Sequence, residues 1–486
     1  MRAMFRFLPA YDPLNIIRRM FEVKHIMLLT GSPMCCCHWE GETREWACSG
    51  PHGGKEEEIM LRKMIFIAGL MLSAAGAAHA VELKVLVPAA YSPSSGFVPG
   101  ADIHKQLYDK FQAANPDIKI DYEVFDTGPA GLQKLLTAAA SNTLPDAVIV
   151  DGQWIARLVQ SDVLQSLDGL WPKDDQADFH PAVLAAETVD GKRYAIMFQT
   201  GMRGLLYRPS VMASVGLKEF PKSFDDFMTA SKTLKEKGII AELVPAKAND
   251  EPATLHMLSI FWGLGGKLVD DHGAPVFFEG KNGESLAKVY QMYHDMAAAG
   301  AISPNVTTMD EPALRPFFYG GEAFSIGASS SGIKQMWSEL PDLQNDLAVA
   351  PYPMPDGKQP VTVLGGYAYA IAAKDVDKKA AAWKFVQFMT SPENMTGVNE
   401  TLGQLPVRKS IWNTSTFFSQ NALMKSYKAI YDGEMQTRPA VPIYTAVSSA
   451  ISSQLAAVIG GQLTPADAVA AAKEAVMREY DRQKSR

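Results

Sequence analysis

Short apolar strands and amphipathic helices alternate along the chain after residue 80. Residues 81–88 and 147–150 are almost wholly apolar, and residues 118–125 alternate between apolar and polar side chains. Between these strands, apolar positions recur at helical spacing over residues 103–114 and 129–140. This strand–helix–strand–helix–strand order predicts an α/β fold with a parallel sheet that is covered on both faces.

The ends of the predicted strands indicate where a ligand would lie. In open parallel sheets, ligands collect at the carboxyl ends of the strands. The residues that follow the three strands, and so form the predicted rim, are Tyr91, Ser92, Asp126, Thr127, Asp151, Gln153 and Trp154. Two further strands are predicted at 324–328 and 364–372, and the chain beyond residue 377 is predicted to be mostly helical.

Residues 60–80 have the layout of a secretory signal peptide. Arg62 and Lys63 form a positive start, residues 64–75 an apolar run, and residues 78–80 (Ala-His-Ala) a small-residue cleavage site. We expect cleavage after residue 80. Because the next residue is Val81 and not a cysteine that could carry a lipid, we expect a free periplasmic protein.

Residues 1–59 are an unusual start for a secreted protein, since a signal peptide normally begins at the amino terminus. Lys55 and the three glutamates at 56–58 precede Met60, and their codons can form a purine-rich ribosome-binding site. We therefore hypothesise that residues 1–59 are a mis-translated upstream segment and that Met60 is the true start. A peptide from residues 1–59 in the intact precursor, detected by mass spectrometry, would contradict this.

Composition narrows the class of protein. With 47% hydrophobic residues, the chain is long and apolar enough for a substantial core. Its 46 basic and 53 acidic residues give a formal net charge of −7, which argues against nucleic acid or an anionic membrane as partner. All four cysteines precede residue 60, and the later histidines lack metal-site spacing, so neither a metal nor a cofactor is predicted. No nucleophile elbow or phosphate loop is present.

Several side chains suit a small polar ligand. Trp154, Trp262, Tyr91 and Tyr367 lie in or beside predicted loops, where a flat apolar face can cover a sugar ring, although each is individually more typical of a core. Residues 329–331 are serines before a predicted helix at 333–339, and they predict both a helix cap and hydrogen-bond donors to a ligand.

Nine segments of the mature chain resemble, in order, the family 1 extracellular solute-binding proteins of ABC importers, the group that includes maltose- and glycerol-3-phosphate-binding proteins. The segments include LLTAAASNTLPDAVIVDGQW at 135–154, DGKRYAIMFQTGMRGLLYRPSVMASVGL at 190–217, FFYGGEAFSIGASSSG at 317–332, VLGGYAYAIAAK at 363–374 and LGQLPVRKS at 402–410.

The resemblance implies a periplasmic-binding-protein-like fold, in which two α/β lobes joined by three crossings enclose a ligand cleft. The crossings are expected near 196–200, 326–329 and 362–366. The expected N-terminal lobe is 81–197 plus 328–362, and the expected C-terminal lobe is 198–327 plus 363–486.

The resemblance also implies a function and a set of contacts. It implies a monomer that captures a sugar or oligosaccharide by lobe closure and delivers it to ABC permease subunits. The alternatives are glycerol 3-phosphate or a similar anion as ligand, or a secreted glycoside-acting enzyme that uses two carboxylates. The expected ligand contacts are Tyr91, Asp151, Trp154, Gln199, Thr200, Trp262, Ser329, Ser330, Gly365, Gly366, Tyr367 and Arg408.

Overall fold

The computed structural model describes residues 80–126, 128–330, 332–355 and 357–485. The predicted upstream segment and nearly all of the predicted signal peptide lie outside the described residues. The chain from Ala78 to Arg486 forms one compact unit. Its strands are β1 Val81–Pro88, β2 Ile118–Phe125, β3 Ala147–Asp151, β4 Thr188–Val189, β5 Lys192–Arg193, β6 Ala195–Met197, β7 Gly201–Tyr207, β8 Ile240–Leu243, β9 Ala323–Ser329, β10 Ala348–Ala350, β11 Thr362–Gly365, β12 Tyr367–Ile371 and β13 Met435–Thr437.

Helices cover the strands along the whole unit, and most begin where a polar side chain or a proline ends the preceding segment. They are α1 Val98–Ala114, α2 Pro129–Ala140, α3 Ile155–Gln160, α4 Lys173–Gln176, α5 Pro181–Ala186, α6 Pro209–Ser214, α7 Phe224–Glu236, α8 Glu251–Gly263, α9 Gly280–Ala299, α10 Glu311–Tyr319, α11 Ile333–Glu339, α12 Val376–Met389, α13 Pro392–Leu402, α14 Lys409–Thr414, α15 Thr416–Gln420, α16 Ala422–Tyr431, α17 Tyr444–Ile459 and α18 Pro465–Lys484.

Two sheets organise the unit. The first has the order β2-β1-β3-β12-β6, in which β1 pairs in parallel with β2 and β3, while β12 runs antiparallel to β3 and β6. The second has the order β13-β11-β7-β9-β8, with β10 paired to β7. We call the first sheet with α1, α12 and α13 the first lobe, and the second sheet with α8, α9, α17 and α18 the second lobe.

The chain passes between the sheets at residues 198–200, between β6 and β7, and returns at Gly366, between β11 and β12. It reaches the second sheet again between the end of α13 and β13. By contrast, β9, β10 and β11 all belong to the second sheet, so no passage between the sheets occurs near 326–329.

These pairings differ from the expected division into lobes. Segment 328–362 was expected in the N-terminal lobe, yet β10 and Thr362, the first residue of β11, pair within the second sheet. Segment 363–486 was expected in the C-terminal lobe, yet β12 inserts between β3 and β6 of the first sheet. The apolar pattern predicts a strand at 364–372 but not at β10, and it carries no information about which distant strand becomes a neighbour.

Candidate functional site

A cleft of about 170 Å³ lies where the ends of the two sheets face each other. Both lobes contribute to its walls, together with the two crossings at 198–200 and 366. We call it the central cleft, and its lining residues are Tyr91, Asp151, Gln199, Gly201, Arg203, Leu255, Ser329, Val363, Gly365, Gly366, Tyr367, Gln404 and Arg438.

The wall from the first lobe is built at strand ends. Tyr91 lies in a single 3₁₀ turn directly after β1, and Asp151 is the last residue of β3. Tyr367 begins β12 and pairs in register with Asp151. The rings of Tyr91 and Tyr367 pack with their centroids 5.2 Å apart. The carboxyl ends of two parallel strands thus carry the Tyr91 ring and the Asp151 carboxylate into the cleft, and the start of antiparallel β12 adds the ring of Tyr367.

Gln199 supplies an unused acceptor to the same wall. It lies in the first crossing, and its Nε2 donates a hydrogen bond of 3.1 Å to the hydroxyl oxygen of Tyr91. Its side-chain oxygen Oε1 is buried and has no hydrogen-bond partner among the described residues. A buried polar atom normally has a partner, so this oxygen is suited to accept a hydrogen bond from a ligand hydroxyl.

The second lobe contributes a buried ion-pair cluster. Arg203 on β7 pairs in register with Ser329, the last residue of β9. Glu311 of α10 accepts from Arg203 and, at 2.7 Å, from Arg315. Burial alone would raise the pKa of Glu311, but the two guanidinium groups outweigh it and lower the pKa to about 2. The carboxylate is therefore charged over the physiological range.

Arg438 connects the two lobes across the cleft. It directly follows β13, and its Nη2 donates to Oδ1 of Asp151 at 3.2 Å while its Nη1 donates to Oε1 of Glu251 at 2.7 Å. The hydroxyl of Tyr444 donates to the same oxygen of Glu251 at 3.0 Å. Burial raises the pKa of Asp151, and Arg438 opposes that shift.

The charges around the central cleft balance. Arg203 and Arg315 face Glu311 within the second lobe, and Arg438 faces Asp151 and Glu251. Three guanidinium groups therefore meet three carboxylates, and no excess positive charge is available to an anion at this site.

The sequence was compared with known proteins. The family model for bacterial extracellular solute-binding proteins matches residues 95–396, more than half of the chain. The chain belongs to this family. The recognition made from the nine segments is therefore confirmed, and membership places the chain among binding proteins and not among enzymes.

Relatives of this solute-binding protein agree with the family and the fold. The diacetylchitobiose binding protein DasA of Streptomyces coelicolor is 26% identical over 389 residues, which cover 76% of this chain and 83% of that protein. The sugar-binding protein MalE of Xanthomonas citri matches with a TM-score of 0.71 at 20% identity, covering 84% of this chain and all of the other. The cyclic alpha-maltosyl-1,6-maltose binding protein of Arthrobacter globiformis matches at 0.69 with 24% identity, covering 82% and 98%. The predicted fold class is confirmed.

Seven of the predicted contacts line the central cleft of this solute-binding protein. Gly366 has a clear structural reason for being glycine, because a Cβ there would overlap the carbonyl oxygen of Gln199 on the neighbouring crossing. Thr200 lies beside the cleft and not in it: it is fully buried, and its hydroxyl donates to the Gly365 carbonyl at 2.8 Å. The seven are Tyr91, Asp151, Gln199, Ser329, Gly365, Gly366 and Tyr367.

Arg408 lies away from the cleft, inside the first lobe. Its guanidinium donates to both oxygens of Asp175, at 2.8 and 2.9 Å, and it stacks 4.4 Å from the ring centre of Phe179. It also donates to the carbonyl oxygen of Thr390. With 2% of its side chain exposed, Arg408 holds three segments together and is not placed to contact a ligand.

The two predicted tryptophan contacts are also core residues. Trp154 is buried and packs near Phe125, with 6.4 Å between ring centroids. Trp262 lies in the last turn of α8, a helix buried over most of its length, and 5% of the residue is exposed. The tryptophan side chain has a large apolar surface, so it is usually mostly buried.

The serine segment differs from its prediction as well. The N-cap of α11 is Gly332, which has no side chain to accept a hydrogen bond, so the predicted serine cap is wrong. Ser330 is fully buried and does not line the cleft, although its hydroxyl has no partner among the described residues. Ser331 lies outside the described residues.

Sequence reasoning missed six lining residues of the cleft, namely Gly201, Arg203, Leu255, Val363, Gln404 and Arg438. Arg203 was within reach, because it lies three residues beyond Thr200 on the strand that leaves the first crossing. Arg438 carried no local signal: it reaches the cleft because β13 pairs in parallel with β11, which ends at Gly365.

Two further features of the described part of the chain concern metal binding and membrane-spanning helices. Within residues 80–485 as described, no three histidine, cysteine or acidic side chains are arranged to hold a metal ion. In the same residues, none of the helices combines the length and apolar character that crossing a bilayer requires.

Proposed function

We propose that this protein is the substrate-binding component of an ABC importer, and that it captures a neutral sugar or short oligosaccharide between its lobes. The observation that carries the proposal is the central cleft, with its paired tyrosine rings and the unpartnered acceptor of Gln199. Tyrosine faces suit the C–H surface of a sugar ring, and buried acceptors suit its hydroxyls. Closure of the lobes around the ligand would create the form that the permease recognises.

A neutral ligand is favoured over glycerol 3-phosphate or a similar anion. A phosphate-binding site needs donors whose charge is not already neutralised. Here Arg203 and Arg315 are occupied by Glu311, and Arg438 is shared between Asp151 and Glu251. An added anion would have to displace one of these carboxylates or lie against it.

The size of the cleft favours a small ligand in the closed form. Its volume of about 170 Å³ is smaller than the ~300 Å³ at which drug-sized sites begin. A longer oligosaccharide would fit only with the lobes further apart. The names of two relatives point to the same chemical class, since they give diacetylchitobiose and cyclic alpha-maltosyl-1,6-maltose as the compounds bound.

The cellular setting follows from the proposal. The family is extracellular by description, and the expected signal peptide at 60–80 would export the chain. We therefore place the mature protein in the periplasm, where it would serve membrane permease subunits as a monomer.

The deciding experiment is a ligand titration of residues 78–486 after unfolding and refolding to remove any bound compound. Maltose, maltotriose, diacetylchitobiose and glycerol 3-phosphate are titrated by calorimetry, with recovery of the compound afterwards. Saturable binding of one of the sugars, recovered unchanged, is the expected result. If only glycerol 3-phosphate binds, the ligand is an anion and not a sugar. If none of the four compounds binds, the sugar proposal is overturned.

A matched pair of variants tests the site itself. Tyr367→Ala removes one of the two cleft rings and is expected to weaken sugar binding at least tenfold, which is about 1.4 kcal/mol. Tyr480→Ala removes a half-buried tyrosine of α18 that does not line the cleft, and should leave affinity unchanged. Equal affinities for the two variants would remove Tyr367 from the site.

A further inference from the structure

The ion pair between Asp151 and Arg438 joins groups that belong to different lobes. Asp151 ends β3 of the first sheet, and Arg438 follows β13 of the second. Their side chains meet at 3.2 Å and are 17% and 9% exposed, respectively. An opening motion that moves the end of β3 away from the end of β13 would separate these two charges, because each is attached to the end of a strand in its own sheet.

We propose that Arg438 is the closure-determining residue of this protein: its ion pair with Asp151 holds the lobes together and sets how much of the ligand-free protein is closed. Attraction between close, largely buried charges is much stronger than between the same groups in water. A pair that forms when the two strand ends meet and is lost when they separate contributes directly to the balance between open and closed states.

The surroundings of Arg438 keep its guanidinium aimed across the cleft. Glu251, in the first turn of α8, binds the opposite edge of the guanidinium at 2.7 Å and is itself held by Tyr444 at 3.0 Å. A Cβ on Gly365 would lie 3.3 Å from Nη2 of Arg438, so that glycine leaves room for the side chain. Glu251 and Tyr444 are therefore positioning residues: in the open form they retain Arg438, and Asp151 alone is released.

This arrangement differs from the ion pairs inside one lobe. Arg208 follows β7 and binds Asp346 at 2.9 Å, with side-chain exposures of 21% and 18%. Both residues belong to the second lobe, since β7 and β10 pair with each other. Opening the cleft leaves this pair intact, and it is a matched control for an ion pair of similar exposure without a role in closure.

The test measures the radius of gyration of ligand-free residues 78–486 by small-angle X-ray scattering, since this segment forms a compact unit of its own. The variants are Asp151→Asn, which keeps the side-chain shape and removes the charge, Arg438→Gln, and the control Arg208→Gln. Circular dichroism confirms folding of each. If Arg438→Gln does not fold, the isosteric Asp151→Asn still decides the question.

Both cleft variants are expected to raise the ratio of open to closed protein about tenfold and so to increase the radius of gyration over the wild type. Arg208→Gln should scatter like the wild type. Unchanged scattering from Asp151→Asn, or an equal expansion in Arg208→Gln, would overturn the proposal.

The inference rests on the proposed function only in assuming that closure captures a ligand. Because the scattering experiment contains no ligand, its result is independent of the titration. If the cleft variants expand but none of the tested sugars binds, closure by Arg438 stands and the sugar proposal fails. If a sugar binds but scattering is unchanged, the reverse holds.

Discussion

Glu242, in β8 of the second lobe, is expected to make this protein less stable as the pH rises, and Glu242→Gln is expected to remove that dependence. The residue is 3% exposed, and its Oε1 has no hydrogen-bond partner among the described residues. Burial raises its pKa from 4.5 to about 8. The nearby titratable groups are Tyr293 and Tyr352, whose pKa values burial raises well above 10, so they stay neutral.

The sign of the effect follows from proton linkage. Below pH 4.5 the carboxyl group is protonated in both the folded and the unfolded chain, and it costs nothing. Between pH 4.5 and about 8 the unfolded chain loses the proton while the folded chain keeps it, so the free energy of unfolding falls by about 1.4 kcal/mol per pH unit. From pH 5 to pH 7 the loss from this one group is about 2 to 3 kcal/mol.

The assay is differential scanning calorimetry of residues 78–486 from pH 5 to pH 7.5. The unfolding entropy is about 2.1 cal/mol/K per residue over roughly 400 residues, so about 2 to 3 kcal/mol corresponds to a Tm change of about 3 °C. The Tm of Glu242→Gln should therefore rise relative to the wild type by about 3 °C between pH 5 and pH 7. Glu187, a second buried acid whose pKa burial raises to about 8, is present in both proteins and cancels from the difference.

A control separates burial from charge. Glu236→Gln makes the same chemical change at an exposed position of α7, and its Tm difference from the wild type should not vary with pH. If the difference between Glu242→Gln and the wild type is also constant from pH 5 to pH 7.5, the carboxyl group is not held neutral in the folded state and the reasoning is refuted.

Three other substitutions separate structural from ligand-binding roles. Arg408→Gln breaks a buried ion pair and should cost about 3–5 kcal/mol of stability in a thermal melt, with ligand affinity kept within about twofold; a large loss of affinity would contradict the placement of Arg408 outside the cleft. Trp262→Ala should likewise cost about 3–5 kcal/mol, because it empties a core site, and a normal Tm would show that the residue is not buried. Gly366→Ala should weaken sugar binding at least tenfold in calorimetry, because the added Cβ overlaps the Gln199 carbonyl and forces the crossings apart. Unchanged affinity for the sugar would show that the two crossings can move apart without weakening ligand binding.

Local pattern predicted the first half of the fold closely. The strands at 81–88 and 118–125 and the helix at 129–140 have the predicted bounds, because each is delimited by its own apolar period and by polar or small residues around it. Helix α1 begins at Val98, five residues before the predicted start. The missed signal is Pro99, which suits the first turn of a helix because it needs no backbone donor there.

The local sequence pattern did not predict which distant strands pair with each other. Residues 364–372 form one continuous apolar run in the sequence, but in the structure β11 ends at Gly365 and β12 starts at Tyr367, in different sheets. The break falls at Gly366, where a Cβ would overlap the carbonyl oxygen of Gln199. Only the fold shows that the other crossing passes close to this residue.

The composition of the cleft has the same explanation. Its first-lobe wall was predictable because Tyr91 and Asp151 lie at the carboxyl ends of β1 and β3, which are paired in parallel, so the rule for strand ends applies directly. Its second-lobe wall depends on the pairing of β11 with β7 and of β13 with β11, which are strands far apart in the sequence, and Arg438 enters only through the second of these pairings. Two large residues that were expected to contact the ligand, Trp262 and Arg408, are buried and do not line the cleft. If the protein captures its ligand by lobe closure, as proposed, the residues that face the ligand are those at which the two sheets meet. Whether a side chain occupies such a place depends on strand order more than on its size or chemistry. Arg438 lies at such a place, because it lines the cleft and its ion pair with Asp151 joins the two lobes. A single side chain can therefore contribute both to the site and to its proposed closure.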